Sequence, residues 1–212
     1  MALTIVGAEG VVIGVDISPE MLTSARTGLY GSPFLPIAAD GQALPFREAS
    51  FDAVVCQLGL QFFPDPVRGV AEFRRVLRED GRVSICVISI PERAPMWGNL
   101  AEVLSRFLPE LHNVLFLSFA LHDPSRLEAM LVGAGFRDVR VERTTRDDSF
   151  ESFQDYWEPI EAGIGSIPQS YLRLAATDRR AVREEVRSRL LQFESNGKLR
   201  MGVEMLIGSG RA

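Results

Sequence analysis

Four short apolar runs, each ending on a polar residue, constrain this chain more than any other feature. They occupy residues 11–16 (VVIGVD), 34–40 (FLPIAAD), 51–57 (FDAVVCQ) and 82–89 (RVSICVIS). Runs this short and this apolar suit strands buried on both faces of a parallel sheet. After the first run, Ser18 reads as a helix N-cap, Pro19 as the first helical residue and Glu20 as a first-turn acid. Asp16 therefore ends a strand beside the start of a helix, which is where open α/β sheets bind ligands. A carboxylate there can accept two hydrogen bonds from the vicinal hydroxyls of a ribose. The alternative is an aspartate that only caps the helix or faces solvent.

The same rhythm continues. Residues 1–10 read as the end of a helix closed by Gly7 or Gly10. A short helix runs from Pro19 to about Thr27 and is broken over residues 28–33. Pro36 argues for an edge position for the second strand. Asp65 and Pro66 open a helix as N-cap and first residue, Val70, Phe73, Val76 and Leu77 give its inner face, and Gly81 closes it. Strands alternating with helices or turns at short spacing predict a doubly wound, mostly parallel sheet. The strand ends then present Asp16, Asp40, Gln57 and Ser89 at ligand-binding positions.

The second half departs from this rhythm. Residues 91–122, rich in Leu and Phe between Pro91, Pro95 and Pro109, predict one or two lid helices. Asp123 and Pro124 start a capped helix that ends at Gly133 or Gly135. Residues 137–146 alternate as a half-exposed strand, 150–196 form a helical insertion, and 198–207 are a final alternating strand with Leu199, Met201, Val203, Met205 and Ile207 on one face. No repeat or low-complexity linker divides the 212 residues, so the expectation is one domain, 1–212. Its core is 1–90, 123–149 and 197–210, and its helical cap is 91–122 and 150–196.

Charge and composition exclude several partners. A net charge of −5 offers no footprint for nucleic acid. No run approaches the about 18 apolar residues of a membrane span, so a cytoplasmic protein is the expectation. Cys56 and Cys86 lie within apolar runs and read as reduced core residues, and nothing has metal-ligand spacing.

Four further stretches, DGQALPF (40–46), SFDAVVCQLGLQFFPD (50–65), FRRVLREDGRV (73–83) and LEAMLVGAGFRDVRVE (127–142), follow the first strand in order. Together with it they resemble the class I S-adenosylmethionine-dependent methyltransferases of the type 11, quinone-biosynthesis kind. The resemblance implies a Rossmann-like fold with an antiparallel C-terminal strand, the cofactor S-adenosyl-L-methionine and a small, apolar or aromatic methyl acceptor. It implies that Asp16 holds the ribose hydroxyls with Ile17 and Met21 beside the adenosine. Asp40 would take the adenine amino group, with Gly41 and Gln42 near the ring, and Gln57, Leu58 and Gly59 would border the methionine part. On the acceptor side stand Gln61, where relatives often have histidine, with Phe62, Trp97, His112 and Trp157. No catalytic base is assigned, and His122, next to the Asp123 cap, reads as structural.

One family feature is missing. A strand and a glycine-rich loop of the GxGxG kind would precede residue 11 by about one βα unit. Its loss leaves a vacancy in mid-sheet, for which direct pairing of residues 11–16 with 52–57 is expected. Little cofactor binding is then expected without the missing unit. The competing readings are a non-catalytic remnant serving as a binding or homodimerisation module and, against the absent phosphate-binding glycines, an NAD-dependent oxidoreductase.

Overall fold

The computed structural model describes residues 2–27 and 33–212, so the expected helix break at 28–33 lies, but for Pro33, outside the described residues. In chain order the first elements are α1 (Ala2–Val6), β1 (Val12–Asp16), α2 (Pro19–Thr27), β2 (Phe34–Ala38), β3 (Phe51–Gln57), α3 (Pro66–Val76) and β4 (Leu77–Ile88). Then follow α4 (Pro95–Phe107), α5 (His112–Leu115), α6 (Pro124–Gly133), β5 (Arg137–Phe150), α7 (Phe153–Glu161), α8 (Ser166–Leu172), α9 (Ala176–Leu190), β6 (Glu194–Ser195) and β7 (Lys198–Arg211).

The fold is the expected Rossmann-like α/β class, with its strands divided between two sheets. β1 and β2 pair in parallel by themselves. β3 pairs in parallel with β4, and β7 runs antiparallel between β4 and β5. Pro36 sits in β2, which among the described residues pairs only with β1 and so tolerates a residue without an N–H. The expected pairing of residues 11–16 with 52–57 does not form, and β3 is a sheet edge.

The linker between β2 and β3 is bound to α3. Leu44 N–H donates to Glu72 at 2.8 Å, and Arg75 donates to the carbonyls of Phe46 and Leu44 at 2.7 and 3.0 Å. Glu72 and Arg75 are themselves paired at 2.6 Å. The linker is thus fastened to α3, while β1 and β2 pair with each other. The outer edge of β3 stays open, and Val55 is 70% exposed on a strand type ordinarily covered on both faces.

Local signals decide most helix starts. Asp65 accepts from Arg68 N–H at 3.0 Å, Asp123 accepts from Ser125 N–H at 2.9 Å, and a proline follows each cap. Gly7, at φ +73°, closes α1. Gly81 does not close α3. That helix ends at Val76, where Ala49 and Ser50 N–H take the Arg75 and Val76 carbonyls. Gly81 lies instead in β4, where a Cβ would come within 2.9 Å of the Arg78 carbonyl oxygen.

Two apolar cores result. Val70 and Phe73 of α3 and Leu127 and Leu131 of α6 pack on Val83, Ile85 and Leu206 of the larger sheet. The segments expected to cap the fold make the second core, with Leu104 of α4, Trp157 of α7 and Val186 of α9 against Met201 and Val203 of β7. These helices are a packed layer on the far half of β7.

Candidate cofactor site at the strand ends

Asp16 and Asp40 leave their strands at the same end of the small sheet. Ala39 N–H donates to the Asp16 carbonyl at 3.1 Å, which brings the two exits together. The Asp16 carboxylate accepts from Ser18 N–H at 2.8 Å, and the Ser18 hydroxyl caps α2 by accepting from Met21 N–H at 3.2 Å. Next to this acid, Ile17 and Met21 are 77% and 61% exposed. A carboxylate beside two bare apolar side chains can hold a diol while covering a flat ring.

Asp40 is exposed and accepts from both Gln42 backbone N–H (2.8 Å) and Gln42 Nε2 (3.1 Å). These bonds, the backbone one foremost, hold its carboxyl below the usual aspartate range. Gln42 reaches further, its Oε1 accepting the Asp65 N–H at 2.7 Å. Gly41 lies against Phe63, whose ring would be 2.3 Å from a Cβ placed there. Asp40, Gly41 and Gln42 are therefore fixed to the loop that follows β3.

That loop carries Gln57, Leu58 and Gly59. Gln57 is exposed at the open edge, and Leu58 takes a left-handed turn (φ +55°) held by its N–H on the Cys86 carbonyl at 2.8 Å. Leu60–Phe62 form a 3₁₀ turn in which Gln61 is buried and Phe62 is 41% exposed. Both polar atoms of the Gln61 carboxamide are without a partner.

The remaining sequence candidates are dispersed. Trp97 is half-buried on α4 and packs against the helical core. His112 is exposed on α5, its ring stacked 4.6 Å from Phe116. Trp157 is fully buried, stacked on Phe153 at 5.5 Å, and donates from Nε1 to Glu161 at 3.1 Å. His122 Nδ1 lies 2.7 Å from the Phe119 carbonyl oxygen, a local contact within its own turn.

Ser89 is not a free strand-end ligand. Its hydroxyl donates to Glu204 of β7 at 2.7 Å, and Arg93 donates to the other oxygen of that carboxylate at 2.7 Å. Arg143 stands 3.5 Å away. Burial opposes the charge on Glu204, and the Ser89 and Arg93 bonds outweigh it, so the carboxyl stays below the usual glutamate range. This network spans 115 positions and leaves little trace in the sequence. Its one signal was a glutamate set between Val203 and Met205 in an inward-facing strand.

Two cavities lie elsewhere: one of about 470 Å³ at the opposite end of the larger sheet, lined by Arg74, Arg137 and Ala212 among others, and one of about 350 Å³ beside Tyr171 and Arg179. Among the described residues no cluster of His, Cys, Asp or Glu fits a metal, and no helix is long and apolar enough to cross a membrane.

A family model described as a methyltransferase domain matches residues 2–85. The chain is 32% identical over 152 residues to the demethylmenaquinone methyltransferase of Thermus thermophilus, covering 66% of this chain and 68% of that one. It is 39% identical over 103 residues to the enzyme of the same name from Streptomyces avermitilis, covering 48% of this chain and 43% of that one. Among solved structures it resembles a Bacillus halodurans protein described as a methyltransferase (TM-score 0.60, 18% identity, 95% of this chain and 83% of that one). It also resembles phosphoethanolamine N-methyltransferase 2 of Haemonchus contortus, solved with S-adenosylhomocysteine (TM-score 0.54, 16% identity, 94% of this chain and 43% of that one).

Proposed function

This chain belongs to the S-adenosylmethionine-dependent methyltransferases, and from that premise we propose that it transfers a methyl group to the ring of a small hydroxylated aromatic acceptor of the quinone-precursor kind. The observation that carries the cofactor assignment is the pairing of Asp16 and Asp40 at adjoining strand exits, with Ile17 and Met21 bare beside them. Asp16 accepts from the ribose hydroxyls, Ile17 and Met21 flank the adenosine, and Asp40 with Gly41 and Gln42 receives the adenine edge. Gln57, Leu58 and Gly59 face the methionine portion. The acceptor class is supported by the names of the relatives, demethylmenaquinone methyltransferases.

The described residues suit the nucleoside half of the cofactor better than its amino-acid half. No described strand stands between β1 and β3, and no described backbone there cradles a carboxylate. A further βα unit with a glycine-rich turn, seated between those two edges, completes the site in this reading. When bound, the cofactor would supply an electrophilic methyl on a sulfonium that keeps the electron pair of the bond, and the proton of the acceptor atom would pass to water. The protein's part is to align donor and acceptor and to exclude water.

Titration calorimetry with S-adenosylhomocysteine tests this reading. The chain given should show little binding, and the same chain fused to a βα unit of about 30 residues from the Thermus relative should bind in the micromolar range. Micromolar binding by the unfused chain would show the cradle to be unnecessary. Absence of binding in a folded fusion would favour the non-catalytic binding module.

A further inference from the structure

The Gln61 carboxamide is sealed inside the protein with nothing to bond to: the residue is 2% exposed, and neither Nε2 nor Oε1 has a partner. Such a group costs stability in the closed protein, and leucine of similar size would avoid that cost. Its backbone is held firmly. Leu58 N–H is bound to Cys86, Phe62 N–H to Gly59 at 3.0 Å, and Phe63 N–H to Leu60 at 3.1 Å. The side chain cannot reach solvent by unwinding its turn without losing these bonds.

The turn packed against this one is of another kind. The 3₁₀ turn Leu117–Phe119 packs against Leu60–Phe62, burying Ser118 and Phe119. The stretch from Pro109 to Phe119 consists of two 3₁₀ turns and the four-residue α5, with Val114 and Leu117 45% and 37% exposed. The backbone bonds of this stretch close locally, as from Phe119 to Phe116 and from Ala120 to Leu117, whereas Leu58 is bonded across to Cys86 of β4, so the stretch opens more readily than the β3 loop.

We propose that Gln61 is the acceptor-recognition residue, binding a ring hydroxyl by donating from Nε2 and accepting at Oε1, and that the Leu117–Phe119 turn lifts to admit it. This rests on the methyltransferase reading of the neighbouring strand ends. A hydroxyl is both donor and acceptor, so one such group satisfies both orphaned atoms. The carboxamide carries no charge, so it selects a neutral acceptor, and a charged ring would enter a buried site with no counter-ion. Phe62, adjacent and 41% exposed, offers the ring an aromatic face.

The test uses the chain as given, with 2-naphthol and 2-methoxynaphthalene as probes that differ by one hydrogen-bond donor. Fluorescence titration should show the wild type binding 2-naphthol at least tenfold more tightly, and Gln61→Leu should abolish that preference while raising the melting temperature. Hydrogen exchange at the Ala120 amide, bound to the Leu117 carbonyl at 3.0 Å in the closed turn, should speed up when 2-naphthol is added. Should the leucine variant not fold, Gln61→Met serves in its place. Equal affinities for the probes, no detectable 2-naphthol binding, a preference retained in the variant, a lowered melting temperature or unchanged Ala120 exchange would each overturn the proposal. S-Adenosylhomocysteine is left out of these titrations, so a failure of the cofactor reading leaves the naphthol result standing on its own.

Discussion

Gln42 Oε1 accepts the backbone N–H of Asp65 at 2.7 Å, joining the loop after β2 to the residue that caps α3. The same side chain donates from Nε2 to Asp40. One glutamine thus sets the position of the proposed adenine-binding acid relative to the β3 loop.

Gln42→Ala removes both links. Net values near 1 kcal/mol per hydrogen bond predict a loss of about 1–2 kcal/mol in stability. Exchange at the Asp65 amide should speed up relative to amides inside β4. An unchanged Asp65 rate would mean that backbone packing alone places this loop.

Gly41→Ala drives a Cβ into the Phe63 ring, which Gly69 also approaches closely. Overpacking of this sort costs about 1–3 kcal/mol. Phe63→Leu should recover part of that loss in the double variant, a non-additive result visible in denaturant midpoints. Strict additivity would place the strain elsewhere.

In the fused protein that binds S-adenosylhomocysteine, Asp16→Ala should weaken affinity at least tenfold, about 1.4 kcal/mol or more, with the circular dichroism spectrum retained. Asp40→Asn should cost more against the natural ligand than against an analogue lacking the adenine amino group. Equal losses for the two ligands would remove Asp40 from the adenine edge.

Glu204 gives a pH signature. Its folded-state value is depressed, so the stability that its charge contributes is complete above the unfolded carboxyl value, about 4.3, and is lost as pH falls through the folded value. Glu204→Gln should lower the melting temperature at pH 7, leaving Arg93 and Arg143 without their carboxylate. The difference between variant and wild type should narrow below about pH 4.3. A difference constant from pH 7 to pH 3 would mean that Glu204 acts through packing alone.

The features legible from sequence are the local ones. Asp65 with Pro66 and Asp123 with Pro124 announce α3 and α6 because a cap bonds within three residues of itself. The alternation from Leu199 to Val203 announces β7 because adjacent side chains of a strand face opposite sides. Asp16 was legible as a strand-end acid for the same reason, since both its strand and the helix after it are short-range patterns. The tertiary structure alone decided what bonds across distance. β1 remains apart from β3, with the intervening linker held on α3 by Glu72 and Arg75. Ser89 bonds Glu204, 115 positions away, instead of facing a ligand. Trp157 and His112 are both aromatic residues on helices, yet one is fully buried and the other exposed. A residue's own neighbours in the chain do not specify which distant surface will cover it, and burial, pairing order and the orphaned Gln61 all follow from that surface.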